Sequence, residues 1–448
     1  MLSVNPADGA VLSVLYGTDA MRMVVGERAF LAQMLAVEAA LARAQARLGI
    51  IPEEAAAAIT EAAALEKLDL PALARATRTA GYPVLGLARQ LATLAGTEAG
   101  RWVHWGAATQ DIIDTALVLQ LREAFVLLAT DLDRLNAALA ARARQHRDTV
   151  MAGRTHLQHA LPVTFGYKCA VWLSPLITMR ERLDQLLPRL LKVQFGGAAG
   201  TLASLDDRGI AVAEALAREL DLVAPDAPWH AARDTMAEAA CFLGLMTGAL
   251  AKFATDVMLL MQTEVAEVAE PYSPGRGGSA TMPQKRNPIA CEYVVAQAQG
   301  VQALVPQMLA AMAVDQERGA GPWQTETLAL PQAFTLAHGA LVQAVTVAEG
   351  MTVDAARMRR NLEASGGLIM AEAVMMGLAP MLGRGGAHDA VAQACDVALA
   401  ENIPLAEALG RDSCVTAVLD TESLARLTDP TTYLGSAGAF TDQVLARL

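Results

Sequence analysis

Apolar residues recur at helical spacing along most of the 448-residue chain. Residues 27–48, ERAFLAQMLAVEAALARAQARL, carry apolar side chains three and four positions apart, and the Gly-Ile-Ile-Pro sequence after them predicts the end of a helix. The segments 110–147 and 231–270 are free of proline and predict two much longer helices. Further long helices are expected at 288–313 and at 165–192, where two prolines would kink or trim the helix.

Long helices that are apolar over much of their surface are stable only when they pack against one another. We therefore expect an all-α fold with a central bundle of long helices, in a subunit of three domains. The predicted domains are an N-terminal helical domain at 1–108, the central bundle at 109–350 and a small C-terminal helical domain at 351–448. The apolar stretch at 241–261 contains a lysine and an aspartate, so we interpret it as a bundle helix rather than a membrane span.

Composition and charge narrow the class of protein. Hydrophobic residues make up 54% of the chain and aromatic residues only 4%, which favours helices over strands. The net charge of −12 argues against binding to nucleic acid or to a membrane surface. Five cysteines without a CxxC pair, and an N-terminus without a secretion signal, predict free thiols in a cytoplasmic protein.

Three glycines lie close together in 275–288, which reads GRGGSATMPQKRNP. Glycine allows backbone conformations closed to other residues, and Asn287 followed by Pro288 predicts the N-cap and the first position of a helix. Ser279 and Lys285 would then lie near a helix end that carries partial positive charge, an arrangement that binds anions. On these local features alone, an ordinary glycine-rich surface turn explains the segment equally well.

The same segment resembles the signature G-S-S-x-M-P-x-K-x-N-P of the fumarase/aspartase superfamily, with Ala280 in place of the second serine. The resemblance implies that Ser279 is the catalytic base on a mobile loop. It also implies that Lys285 contributes to catalysis and that Met282 and Asn287 bind the substrate. A serine hydroxyl is a weak base in water, so we expect closure of the loop over Lys285 to activate it.

Two further segments resemble signatures of the same superfamily. The sequence GRTHLQHALPVTFG at 153–166 resembles T-H-x-Q-x-A-x-P-x-T-x-G. This resemblance implies substrate contacts by Thr155 and Gln158, and a catalytic His156 that acts as a general acid or as an orienting donor. We expect His156 to lie near the start of a helix.

The sequence WVHWGAATQDIIDTA at 102–116 resembles H-x-G-x-T-S-x-D-x-x-D-T-A, and a glycine-rich segment of the superfamily matches 196–205. Thr109 replaces the serine of this signature, and Ala108 replaces its threonine, which removes one hydroxyl from the expected carboxylate site. The resemblance implies that Thr109 and Gln110 bind the substrate. His104 has a weaker case than His156 as a functional histidine.

Reactions of this superfamily remove a proton beside a carboxylate and expel a group from the next carbon, or run in reverse. The second negative charge that develops on the carboxylate requires preorganised donors. The resemblance implies a homotetramer in which each active site takes its three signature segments from three subunits. It implies no cofactor and no metal.

Within the superfamily, the segments 81–91, 228–234 and 315–331 resemble lactone-forming cycloisomerases, which add one carboxylate of a small tricarboxylate across its own double bond. The resemblance implies that Arg233 and Arg318, together with Lys285, hold the other carboxylates.

Three alternatives stay open. An adenylosuccinate lyase is disfavoured because Tyr82 and Pro83 replace a His-Asp step, and because Glu326 would repel a nucleotide phosphate. A lyase of the aspartase or argininosuccinate kind is compatible with the changes at Ala108 and Ala280. A non-catalytic scaffold is disfavoured because the three predicted catalytic side chains are intact.

Overall fold

The computed structural model describes residues 5–448, which contain eighteen α-helices and four short β-strands. This confirms the predicted all-α class. Residues 1–4 lie outside the described residues. They are the first residues of the predicted N-terminal domain and of the segment that was considered as a secretion signal. The six longest helices of the described chain are α7 (Thr109–Gln145), α8 (Phe165–Leu190), α10 (Asp234–Leu260), α11 (Ile289–Ala310), α12 (Pro322–Gly350) and α14 (Ala371–Glu401).

The remaining helices are shorter and cluster towards the two ends of the chain. They are α1 (Asp19–Val25), α2 (Glu27–Arg47), α3 (Glu53–Ala62), α4 (Leu70–Ala80), α5 (Val84–Ala95), α6 (Thr97–Gly100), α9 (Gly209–Leu220), α13 (Ala355–Glu363), α15 (Leu405–Arg411), α16 (Ser413–Thr416), α17 (Thr421–Leu427) and α18 (Ala437–Leu445). Strand β1 (Val150–Thr155) pairs antiparallel with β2 (Gln158–Thr164), and β3 (Val268–Ala269) pairs antiparallel with β4 (Thr352–Val353).

Most predicted helix bounds agree with the structure to within a few residues. Two differences have local causes. The helix predicted over 231–270 ends at Leu260, because the chain turns there and then enters β3. The long helix α12, which has Pro331 inside it, is not among the helices predicted from the sequence.

The chain divides into two compact units. Unit 1 comprises the described part of Met1–Leu132 together with Met179–Leu250 and Tyr293–Val342, and unit 2 comprises Asp133–Thr178, Ala251–Glu292 and Gln343–Leu448. The three-domain division at residues 108 and 350 stays a prediction, because these units are defined by compactness and not by order along the chain.

Each unit has its own apolar core. In unit 1, buried side chains of α2, α5 and α7, among them Leu35, Leu87 and Ile112, pack together with Trp323. In unit 2, α14, α15 and α17 enclose a separate core around Leu378. The core of unit 1 fixes the start of α7, where one of the signature segments lies.

Within residues 5–448, three helices are long and apolar enough to cross a membrane, judged by length and composition alone: Asp234–Leu260, Pro322–Gly350 and Leu368–Glu401. In the first of these, Lys252 and Asp256 form an ion pair at 2.6 Å, and Asp256 also accepts a hydrogen bond from the indole of Trp172 at 2.7 Å. Less than half of its most apolar stretch is buried within the chain. Most of its apolar side chains are nevertheless buried, and Leu245 and Leu259 are exposed.

Candidate active site

The start of α7 in unit 1 is held by one buried carboxylate. Asp111 accepts hydrogen bonds from the amides of Ala108 at 2.8 Å, Gly196 at 2.9 Å and Gly197 at 3.0 Å. The imidazole of His230 donates a fourth bond from Nε2, at 2.6 Å. Asp111 thereby joins the signature segment before α7 to the glycine-rich segment and to the segment around His230.

Arg318 lies beside this cluster. One of its terminal nitrogens donates to the carbonyl of Gly197 at 2.9 Å and lies 3.5 Å from Nε2 of His230. Its Nε is buried and has no hydrogen-bond partner within residues 5–448. The role of Arg318 in substrate binding stays a prediction. Thr109, the first residue of α7, is partly buried at the same helix start.

Gln110 and Arg233, by contrast, are occupied by internal partners. Gln110 is buried, and its amide donates to Asp114 and to the carbonyl of His230, both at 3.0 Å. The guanidinium of Arg233, only 2% exposed, bonds Asp114 through two nitrogens at 2.7 and 3.0 Å. Its remaining donors bond both carboxylate oxygens of Glu326. Their roles in substrate binding stay predictions, and a substrate could reach Arg233 only by breaking one of these pairs.

Glu326 shares its cation with a second carboxylate. Burial raises the pKa of Glu326, although the Arg233 guanidinium acts in the opposite direction. Because Arg233 also bonds Asp114, it does not fully compensate the charge of Glu326. The argument from Glu326 against an adenylosuccinate lyase therefore stays a prediction.

In unit 2, His156 lies in the turn of a β-hairpin and not near a helix start, so that expectation is wrong. His156 and Leu157 form the two-residue loop between β1 and β2, with φ angles of 50° and 66°. Turns of this kind favour Asn-Gly because both residues take the left-handed conformation, which costs about 1–2 kcal/mol per ordinary residue. Thr155 and Gln158 close the hairpin, and all four side chains are exposed at its tip.

Ser279 lies in a closed loop of unit 2. Its hydroxyl oxygen accepts hydrogen bonds from the backbone amides of Met282 at 3.1 Å and Thr281 at 3.3 Å. The amide of Asn287 donates to the carbonyl of Gly277 at 3.0 Å and closes the base of the loop. Gly277 has a φ of +65°, and a Cβ at this position would lie 2.5 Å from the Asn287 carbonyl oxygen, so only glycine fits. Two amide dipoles therefore already point at the oxygen that would carry negative charge in an alkoxide.

The start of α11 carries a cap that the sequence did not indicate. The buried carboxylate of Glu270 accepts hydrogen bonds from the amides of Ala290 at 3.2 Å and Cys291 at 2.8 Å. Asn287 is therefore not the N-cap, and the predicted anion site at this helix start is already occupied by a protein carboxylate. The physical reason is that buried helix-end amides need acceptors, and a residue distant in sequence supplies one.

The predicted site residues thus fall into two groups. Unit 1 holds Thr109, Gln110, Arg233 and Arg318, and unit 2 holds Thr155, His156, Gln158, Ser279, Met282, Lys285 and Asn287. Met282 and Lys285 are exposed. Activation of Ser279 by Lys285 stays a prediction, since the described contacts of Ser279 are those with backbone amides. Asp111, His230 and Glu270 are structurally important residues that were not predicted from the sequence. They lie inside or beside the segments that carry the resemblance.

Comparison with known proteins gives consistent matches. Residues 15–303 match the family described as lyase, and residues 367–444 match the family described as adenylosuccinate lyase C-terminus. The chain is 49% identical to 3-carboxy-cis,cis-muconate cycloisomerase of Pseudomonas aeruginosa, over 95% of this chain and 94% of the relative. It is 44% identical to trans-aconitate decarboxylase 1 of Mycosarcoma maydis, over 97% of this chain and 88% of the relative. The structure of 3-carboxy-cis,cis-muconate lactonizing enzyme from Pseudomonas putida superimposes with a TM-score of 0.93 at 45% identity, covering 98% of this chain and 99% of that chain.

Proposed function

Because the chain belongs to the lyase family of the fumarase/aspartase superfamily, we propose that it interconverts 3-carboxy-cis,cis-muconate and 4-carboxymuconolactone. The observation that carries this proposal is the near-full-length similarity to the cycloisomerase of Pseudomonas aeruginosa. The hydrogen bonds from the amides of Thr281 and Met282 to the Ser279 hydroxyl support it chemically, because they would stabilise the alkoxide that proton transfer leaves behind.

Lactone formation joins a carboxylate oxygen to one carbon of a double bond, and the neighbouring carbon takes a proton. The π bond breaks, and the reaction consumes one proton per turnover. Ser279 would donate that proton, and the alkoxide that it leaves would accept hydrogen bonds from the amides of Thr281 and Met282 until water reprotonates it. In the reverse direction the same alkoxide would remove the proton beside the carboxylate.

The substrate site is proposed to form between subunits of a homotetramer. The exposure of Thr155, His156 and Gln158 at a hairpin tip supports this proposal, since catalytic groups need a site that shields them from water. We further propose a cytoplasmic location, in keeping with the free cysteines of the described chain.

The direct test is incubation of the purified protein with 3-carboxy-cis,cis-muconate. We expect the conjugated-diene absorbance to fall and one proton to be taken up per molecule converted, which a pH-stat measures. Adenylosuccinate, argininosuccinate and trans-aconitate serve as parallel substrates. Turnover of any of these in place of the muconate would contradict the proposal, and no turnover of any substrate would favour the non-catalytic scaffold.

His156→Gln is expected to retain most of the turnover with 3-carboxymuconate. In the reverse reaction the leaving group is a carboxylate, which is weakly basic and needs little help from a general acid. Glutamine keeps a hydrogen-bond donor at the hairpin turn, so positioning should be largely preserved. Steady-state kcat and KM in the two directions measure the effect. A loss of kcat as large as that caused by removing the Ser279 hydroxyl would show that His156 transfers a proton in the rate-limiting step.

A further inference from the structure

We propose that His104, held as an imidazolium by Glu38, is a second cationic group that binds a carboxylate of the substrate beside Arg318. The chemical identity of the substrate rests on the proposed function. The charged dyad itself is derived from the contacts of α2 and of the turn before α7, all within unit 1.

The geometry of the dyad is specific. Nδ1 of His104 lies 2.6 Å from a carboxylate oxygen of Glu38, in the middle of α2. The Glu38 side chain is 1% exposed and the His104 side chain 24% exposed. The second carboxylate oxygen of Glu38 is buried without a hydrogen-bond partner in the described chain. His104 is thus the one group in residues 5–448 that bonds this buried carboxylate.

The other ring nitrogen of His104 is available to a ligand. No contact of Nε2 occurs in the part of the chain that the structure describes, and this nitrogen is not enclosed. A histidine that served only to satisfy a buried glutamate would not need an accessible second donor. One ring nitrogen of His104 therefore faces the buried Glu38 carboxylate, and the other faces the surface of unit 1.

The backbone at His104 is strained in a way that favours function. Its φ of 61° lies in the left-handed region, which is costly for a residue with a side chain and is found at active sites more often than elsewhere. The amide of Gln45 donates to the carbonyl of Trp105 at 2.7 Å and pins the turn. The hydrogen bonds of His104 to Glu38 and of Gln45 to Trp105 maintain this conformation, and the imidazole packs beside Glu38 while the chain turns towards α7.

The same turn approaches the cluster that binds Arg318. A Cβ placed on Gly197 would lie 3.2 Å from the carbonyl oxygen of Gly106, so the two backbones are in close contact. Gly197 is also the residue whose carbonyl accepts a hydrogen bond from Arg318. The segment that contains His104 and the side chain of Arg318 therefore both contact Gly197. This arrangement is consistent with two groups that bind one anionic substrate.

The surroundings favour the charged form of His104. Burial alone would lower the pKa of His104, but the Glu38 carboxylate on α2 and the Asp111 carboxylate on α7 act in the opposite direction, and the pKa is raised above its ordinary value. Asp111 is itself saturated by hydrogen bonds from three amides and from His230. The buried carboxylate of Glu38, with one free oxygen, is the main reason for the charge.

The test compares Glu38→Gln and His104→Gln with the unaltered protein across pH. A hydrogen bond to a charged group contributes about 1.5–3 kcal/mol, so His104→Gln should raise KM for 3-carboxymuconate about 10–100-fold with a smaller change in kcat.

Because the raised pKa keeps His104 protonated to higher pH, activity should fall as pH rises through that pKa. Glu38→Gln removes the main charge that raises this pKa, so the fall in activity should move to lower pH, and the activities of the two proteins should converge as pH decreases. His388→Gln is the matched control, since His388 pairs with Asp389 on the exposed surface at 3.3 Å.

A binding measurement separates this inference from the proposed function. Calorimetric titration with propane-1,2,3-tricarboxylate needs no turnover, and its affinity for the unaltered protein should be high at pH values below the raised pKa of His104 and lower above it. His104→Gln should weaken that binding at the lower pH. Unchanged KM and unchanged probe affinity in His104→Gln would overturn the inference, as would an equal loss at all pH values in Glu38→Gln. If His104→Gln does not fold, a pH-independent probe affinity of the unaltered protein overturns it.

Discussion

Replacement of Ser279 by alanine should lower kcat for 3-carboxymuconate by about 10²–10⁴-fold, the contribution typical of a positioned proton-transfer group. The hydroxyl oxygen already accepts hydrogen bonds from the amides of Met282 and Thr281. Those amides lower the free energy of an alkoxide before any substrate arrives, so the loss should appear mainly in kcat. Alanine leaves Gly277 and the closure of the loop at Asn287 untouched.

Ser273→Ala is the matched control for this experiment. Ser273 is exposed in the segment that leads into the same loop, and only its backbone carbonyl takes part in a described hydrogen bond, to the amide of Arg276. We expect its kcat to stay within about twofold of the unaltered protein, as for most exposed positions. Should Ser279→Ala keep its kcat within tenfold of that control, Ser279 could not be the group that moves the proton.

Arg233→Met is expected to lower the free energy of unfolding by about 3–5 kcal/mol, the usual cost of removing one partner from a buried ion pair. The guanidinium bonds both oxygens of Asp114 and both oxygens of Glu326, and all three side chains are buried. Methionine fills the volume but leaves two carboxylates without a cation. A second substitution, Glu326→Gln in the same chain, removes one of these charges and should recover part of the loss.

The measurement is chemical denaturation at a fixed protein concentration, because subunit association would shift the apparent stability. Arg189→Met is the matched control, since Arg189 also pairs with a glutamate, Glu238, through two nitrogens, but at the surface. An exposed pair contributes about 0–1 kcal/mol. If Arg233→Met instead retains full stability and raises only KM, Arg233 contacts the substrate as the sequence implied, and the internal role inferred from the structure is wrong.

Similarity in this family does not by itself fix the substrate. A cycloisomerase and a trans-aconitate decarboxylase match this chain at 49% and 44% identity. Both names refer to carboxylates with a carbon–carbon double bond, so a shared set of carboxylate-binding groups is chemically reasonable. The residues to vary in a study of specificity are Ala108 and Ala280, where the chain departs from the superfamily signatures.

The sequence by itself determined the helical class, most helix bounds and the segments that carry chemistry. Helical periodicity is a local property, so the runs ending near Arg47 and Gln145 could be found without knowledge of any contact. The signature around Ser279 could be found for the same reason, because its residues are close together in the chain. The amides of Thr281 and Met282, which donate hydrogen bonds to Ser279, belong to the same loop. Their orientation depends on the φ and ψ angles of the loop, which could not be predicted from the residue types.

Only the tertiary structure decided which distant groups satisfy one another. Glu270 caps a helix that begins nineteen positions later, at Ile289, and Glu38 on α2 holds the ring of His104. The resemblance of residues 228–234 implied that Arg233 binds a substrate carboxylate, and this role stays a prediction. In the folded chain its anions are Asp114 and Glu326. A buried charge or amide must find a partner, but many residues could serve, and only the packed arrangement of the helices selects one of them.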